Sequence, residues 1–155
     1  MKKLISLMLV VAFALSLCAC ASKTSAPKKD VNLSDVYASF GVTDEEMLTL
    51  SSDDLLEYYG IEAADVKQFA GAVNTTGIKC DEIVLVEAVS SEAADRVKTA
   101  LDNRYQAKLN EMDGYLPDEY AIVKECSVTQ NGNFVAMIVG PNAQALTGIY
   151  NEAFK

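Results

Sequence analysis

The sequence predicts an α+β fold in which short N-terminal helices lead into a β-β-α-β-β-α run, its four strands forming a mainly antiparallel sheet with helices packed on one face. Three observations carry this prediction. IVLV at residues 83–86 and VAMIV at 135–139 are compact, strand-length runs rich in β-branched residues. Asn131-Gly132 falls between two such stretches, a strong hairpin signal. Between the strand pairs, Ala94, Val97, Leu101, Tyr105, Leu109 and Met112 recur at helical spacing and form one apolar stripe.

The elements follow in order. Lys2 and Lys3 give a short positive start, and Leu4 to Leu17 supply an apolar run of signal-peptide length, too short to span a bilayer comfortably. The residues LCAC at 17–20, with the small Ala19 directly before Cys20, resemble a bacterial lipoprotein cleavage site. That resemblance implies a signal peptide over 1–19 and a mature chain whose first residue, Cys20, carries lipid of the palmitate kind. The protein is then expected on the extracytoplasmic face of the bacterial cell membrane, held by that anchor. Residues 20–31 (CASKTSAPKKDV) are small, polar and locally basic, a disordered tether that spans about 35 Å when extended.

Residues 32–155 are expected to form one globular domain. Leu33, Val36, Tyr37 and Phe40 keep helical spacing up to Gly41. Thr43 and Glu46 have capping-box spacing and predict a second short helix through Met47, Leu48 and Leu50. SSDDLLEYYG, 51–60, predicts a third, with acids at its start and Gly60 at its end. VKQFAGAVNTTG (66–77) and IKCDEIVLVEAVS (78–90) predict a strand pair, and the long helix follows from Ser90 and Ser91 to Gly114, roughly 34 Å at 1.5 Å per residue. YLPDEYAIVKECSVT (115–129) and NFVAMIVG (133–140) predict two more strands, and a last helix begins near Asn142 with Leu146, Ile149, Ala153 and Phe154. The two halves echo each other loosely at an offset of about fifty residues.

Several of these segments together, DEIVLVEA, the helix that contains Arg104, YLPDEY, GNFVAMIV and YYG at 58–60, resemble the uncharacterised lipoprotein family of Gram-positive bacteria called domain of unknown function 4358. The resemblance covers most of residues 32–154. It implies a surface-anchored envelope protein without an assigned activity, and it supplies no catalytic residue and no cofactor.

Composition excludes several chemistries. The chain has no histidine, which removes Ser-His and Cys-His catalytic pairs, histidine zinc sites and imidazole switches. No phosphate-binding glycine loop and no calcium-loop spacing occurs. Ser25 to Lys28 spell S-x-x-K, but Pro27 and the tether deny it the buried helix start that such a nucleophile needs. The net charge is −9, and removal of residues 1–19 takes Lys2 and Lys3 and no acid, leaving 11 basic and 22 acidic side chains. Nucleic acid is therefore not an expected partner. The tether lysines suit an anionic lipid surface that repels the acidic body.

The remaining candidates are few. Cys80 and Cys126 are either a disulfide or a pair of buried free thiols, the second being favoured because spacing alone does not bring two Cα atoms within bridging reach. Asp44, Glu45, Glu46, Asp53 and Asp54 fit the first turns of helices. Asp81 and Glu82 read as a solvated strand end before a cation site. Arg104 is expected to pair with an acid of the body, with a carboxylate ligand as its other reading. Tyr58, Tyr59 and Tyr115 are recognition candidates, though core positions suit them better. No catalytic residue, metal ligand or cofactor is expected. The function expected is a non-catalytic module that engages an envelope protein or helps an assembly, and the alternative is a module that binds a small ligand or cation.

Overall fold

The computed structural model describes residues 30–155. The signal peptide expected over 1–19, the lipidation expected at Cys20 and nearly all of the expected tether lie outside those residues. The elements run α1 (Leu33–Ser39), β1 (Met47–Thr49), α2 (Ser52–Tyr59), a 3-10 turn (Ala63–Asp65), β2 (Val66–Asn74), β3 (Glu82–Ala88), α3 (Ser91–Met112), α4 (Pro117–Lys124), β4 (Ser127–Asn131), β5 (Phe134–Val139) and α5 (Ala143–Glu152). The strands make one antiparallel sheet of five in the order β1-β2-β3-β5-β4. The fold class is α+β, and the sheet has one strand more than the sequence predicts.

The extra strand replaces the helix expected at 43–50. Thr43 does not cap there. Instead Asp44 accepts the Glu46 backbone N–H at 2.9 Å, and the chain turns to lay Met47–Thr49 along Ala72–Asn74 of β2. Pairing with a sheet edge outweighs a local capping pattern because three residues gain a ladder and Leu50 gains a core position, 6 % exposed. A second difference lies at 115–124, expected as strand. Pro117 opens α4 at a position where a missing N–H costs nothing, Asp118 and Glu119 occupy its first turn and Lys124 its last, so the helix is specified end by end.

The helices also cover both faces of the sheet rather than one. The long α3 lies on β3, β4 and β5 together with α2 and α4, whereas α1 and α5 meet each other and lie against β2, β3 and β5. Every residue of β3 and of β5 is accordingly buried. Side chains alternate across a strand, so Glu82 points toward α3 while Phe134, opposite Glu87, points toward α5 and stacks edge-on against Phe154 at 5.0 Å.

Local chemistry agrees with the other elements. Asn32 caps α1 by accepting the Ser34 and Asp35 N–H groups. Ser51 and Asp54 form a reciprocal capping box on α2, which ends at Gly60 with φ 67°. Ser90 caps α3 through the Ala93 N–H. The β4–β5 hairpin closes over Gly132 and Asn133, with Asn131 paired to Phe134 and Gly132 at φ 59°. Gln68 ties the entry of α1 to the sheet, accepting the Leu33 N–H at 2.9 Å and donating to the Val31 carbonyl at 2.7 Å. Among the described residues no helix is long and apolar enough to cross a membrane.

Candidate functional site

The strongest concentration of buried charge sits where β3 begins. Glu82, with its side chain fully buried, faces α3, where Arg104 and Lys108 stand one turn apart. Arg104 grips the carboxylate with two parallel bonds, Nε to Oε1 and Nη2 to Oε2, each 2.9 Å. Lys108 places Nζ 2.8 Å from Oε2, and its side chain is 3 % exposed. Two cations thus converge on one carboxylate. Burial alone pushes the Glu82 carboxyl up, but the Arg104 bonds and the charges of Lys108 and Arg104 more than reverse this, so its pKa falls below the ordinary glutamate value. The Arg104 guanidinium is in turn held above its usual range, chiefly by the hydrogen bonds to Glu82.

Above this trio a pocket of about 230 Å³ opens between the start of α3's last turns and the end of β2, lined by Tyr58, Val73, Asn74, Lys79, Arg104 and Lys108, with Glu111 and Met112 beside them. Asn74 is 6 % exposed. Its Oδ1 accepts the Thr76 backbone N–H at 3.0 Å and the Thr76 hydroxyl, which fixes the amide so that Nδ2 faces the other way. That Nδ2 is buried and finds no hydrogen-bond partner among the described residues. A buried donor left in this state is costly, commonly by about 1–3 kcal/mol. The Tyr59 hydroxyl, beneath the trio, is likewise buried without a partner. Burial first, and the Glu82 charge second, push its pKa up. Lys79 at the rim is tied to Glu46 at 2.9 Å and Asp44 at 3.5 Å.

A second cluster lies at the other side of the β3 start. The Cys80 Sγ and carboxylate oxygens of Asp81 and Glu119 lie within 4.8 Å of one another, the one such set of potential metal ligands among the described residues. Its members already have other engagements. Glu119 accepts the Cys80 backbone N–H at 2.8 Å, and burial together with Glu119 pushes the Cys80 thiol far up, toward its protonated form. Burial also raises the Asp81 carboxyl. Asp81 in addition fills the space where a side chain on Gly140 would stand, since a Cβ there would meet its Oδ1 at 2.8 Å. The cluster reads as a packing junction in which burial disfavours the charged forms of Cys80 and Asp81.

The structure sorts the residues singled out from sequence. Arg104 pairs with an acid, as expected, and also lines the pocket. Glu82 is not a solvated strand end. It is buried because α3 covers that end of the sheet and supplies its counter-ions. Tyr59 is core at 6 % exposure, whereas Tyr58 is 41 % and Tyr115 69 % exposed, and of the three Tyr58 lines the Arg104 pocket. Tyr58 and Tyr115 therefore depart from the core positions expected for them: Tyr58 points off α2 toward solvent, and Tyr115 sits in the turn between α3 and α4. Cys80 and Cys126 are both buried and unbridged, and both lie just outside strands rather than within them. Sequence reasoning missed Lys108 and Asn74. Lys108 had a readable signal: Val97, Leu101, Arg104, Lys108 and Met112 step by three or four along one helical face, so a lysine there is carried inward with its apolar neighbours.

No curated protein and no solved structure matches the chain. A family model described as a domain of unknown function (DUF4358) matches residues 41–140, which include β1 to β5, Asn74, Glu82, Arg104 and Lys108. That match spans well over half of the 155 residues, and the chain belongs to this family.

Proposed function

We propose that the protein is an extracytoplasmic lipoprotein, anchored through Cys20, whose folded body is a non-catalytic recognition module that takes a small ligand into the pocket over Arg104 and Lys108. One observation carries the reading: Asn74, whose fixed amide nitrogen is buried and unpartnered, lines one concavity with the buried Lys108, the part-buried Arg104 and an exposed tyrosine ring. Ligand sites combine apolar walls with a few placed polar groups, and Val73, Met112 and the Tyr58 ring supply the walls here. The volume, about 230 Å³, is below the roughly 300–1,000 Å³ of pockets for drug-sized ligands and so fits a very small molecule or the terminal group of a larger one. Wider concavities exist, but the one of about 380 Å³ at Cys126 is lined by a thiol already bonded to the Ile122 carbonyl and by residues with no convergent charge.

The absence of catalysis is part of the proposal. It rests on the missing histidine and on thiols whose burial makes them poor nucleophiles. The reading is tested by adding small fragments to isotope-labelled protein and following the side-chain signals of Asn74 and Tyr58. Fragments that move those signals saturably are the expected result. Shifts only elsewhere on the molecule remove the pocket from consideration. For the anchor, Cys20→Ala is expected to release the protein from membranes and abolish acyl mass, and a variant that still fractionates with membranes defeats it.

A second reading, engagement of an envelope protein, has its own support. β1 and β4 are the outer strands of the sheet, so each has one edge without a strand partner among the described residues, and Leu48 on β1 is 47 % exposed. Crosslinking in native cells distinguishes it: a single recurrent neighbour captured through β1 or β4 favours this reading over the pocket.

A further inference from the structure

We infer that the ligand of this pocket presents a carboxylate, recognised jointly by Arg104, Lys108 and the Asn74 amide. The inference rests on the reading of the pocket as a binding site and adds the chemistry of what enters it.

Charge balance is the first step. Within the trio Glu82 offers one negative charge to two cations, Arg104 part-buried at 27 % and Lys108 buried at 3 % side-chain exposure, while Glu111 at the pocket adds a negative charge that reaches Arg104. A structural ion pair needs only one cation per carboxylate. Arg104 alone already satisfies both Glu82 oxygens. Lys108 is therefore redundant for holding Glu82, and its ammonium keeps donors beyond the one directed at Oε2.

Donor geometry is the second step. The Asn74 Oδ1 is committed to Thr76, so the free Nδ2 is a donor and not an acceptor, which disfavours a cationic ligand at that wall. Charge, donor inventory and enclosure therefore agree on an anion. A monoanion suits the one cation of the trio that Glu82 does not require. A phosphate dianion exceeds it, and it also meets Glu111 beside the pocket on a chain whose net charge is −9. Tyr58, Val73 and Met112 give the remainder of such a ligand an apolar or aromatic surface to lie on.

The test uses the full-length chain, isotope-labelled in detergent, titrated with four probes: benzoate, its neutral analogue benzamide, benzylammonium and inorganic phosphate. Benzoate is expected to shift the Asn74 side-chain amide and the Arg104 Nε–H signals saturably, at least about tenfold more tightly than benzamide, and less tightly as salt is added. Two variants accompany it. Lys108→Met leaves Glu82 with its Arg104 pair, and Asn74→Asp keeps the acceptor that Thr76 uses while replacing the free donor by a negative oxygen. Each is expected to weaken benzoate by about tenfold or more while the backbone signals of β2 and α3 stay native. Benzamide or benzylammonium binding as well as benzoate overturns the carboxylate while the pocket reading stands. Tighter binding of phosphate also overturns it, in favour of a phosphoryl ligand. If no probe moves these signals, the inference and the pocket reading fall together.

Discussion

Lys108 shows how a single residue separates a structural role from a functional one. Removing Glu82 by Glu82→Gln leaves the buried Lys108 and the part-buried Arg104 without their bonded carboxylate, and the expected loss is about 3–5 kcal/mol of folding stability in urea denaturation. Removing Lys108 by Lys108→Met deletes only the surplus charge, and stability is expected within about 1 kcal/mol of the parent, on either side. A large loss from Lys108→Met instead makes the second cation structural. The thiols give a separate residue-scale expectation. Burial is the main cause that raises both Cys80 and Cys126, with Glu119 adding to it for Cys80, so neither is expected to be alkylated by iodoacetamide at pH 8 in the native protein. Mass spectrometry is expected to find both modified only after denaturation, and rapid native labelling of Cys80 contradicts its placement beneath α4. Tyr150 belongs with them: its hydroxyl is buried without a partner while its ring lies 4.9 Å from Phe154. Tyr150→Phe keeps the ring contact and removes the unpaired group, so a gain of about 1 kcal/mol is expected.

At the scale of elements, the junction of β2 with β3 decides whether the pocket exists at all. Gly71 stands opposite Val84, and a Cβ there would lie 2.1 Å from the Ile83 carbonyl oxygen and 3.2 Å from the Leu50 side chain. Backbone cannot yield as a side-chain tip does. Gly71→Ala is expected to cost at least about 1–3 kcal/mol and to weaken amide protection across β2 and β3 before it affects α5. The same scale explains what sequence discloses. Helices α1, α2, α3 and α5 and strands β2, β3 and β5 were readable because apolar period and end signals agree within each. The segment 43–50 misled because its capping spacing is local while β1 exists only through its partner strand. The segment 115–124 misled in the opposite way: Tyr120, Ile122 and Val123 suggest a strand, yet Pro117 and the first-turn acids Asp118 and Glu119 already spelled a helix. Covering helices on both faces were also signalled, since IVLV and VAMIV are continuous rather than alternating runs, the pattern of strands buried on two sides. The site was less legible than the fold. Arg104 was visible as a charge near the stripe, but the free amide of Asn74 depends on Thr76 turning its oxygen away, which no spacing announces.

For the molecule as a whole, the response to acid follows from which carboxyls are held charged. The pKa of Glu82 lies below its ordinary value of 4.5, so the folded state binds a proton there less readily than the unfolded chain does. Its contribution is complete above the ordinary value and is lost as pH falls through the lower, folded one. Asp54, Asp65 and Asp44 are shifted the same way, but they lie at the surface, where solvent screens the effect. Asp81 acts in the opposite sense. Burial raises its carboxyl, so what it contributes is present below the ordinary aspartate value and is lost as pH rises through the raised one. The buried, doubly paired Glu82 outweighs it, because protonating Glu82 strands Arg104 and Lys108 together whereas ionising Asp81 strands no cation. The urea midpoint is therefore expected to hold, or rise slightly as self-repulsion of the acidic chain is relieved, from pH 7 to about 5, and then to fall steeply below about 4.5. Glu82→Gln, with a lower midpoint throughout, is expected to flatten that lower limb while leaving the slope of the upper one unchanged. A midpoint that stays constant down to pH 3 in the parent protein contradicts an ionised Glu82, and with it the Arg104–Glu82 pairing that leaves Lys108 donors free for a ligand carboxylate.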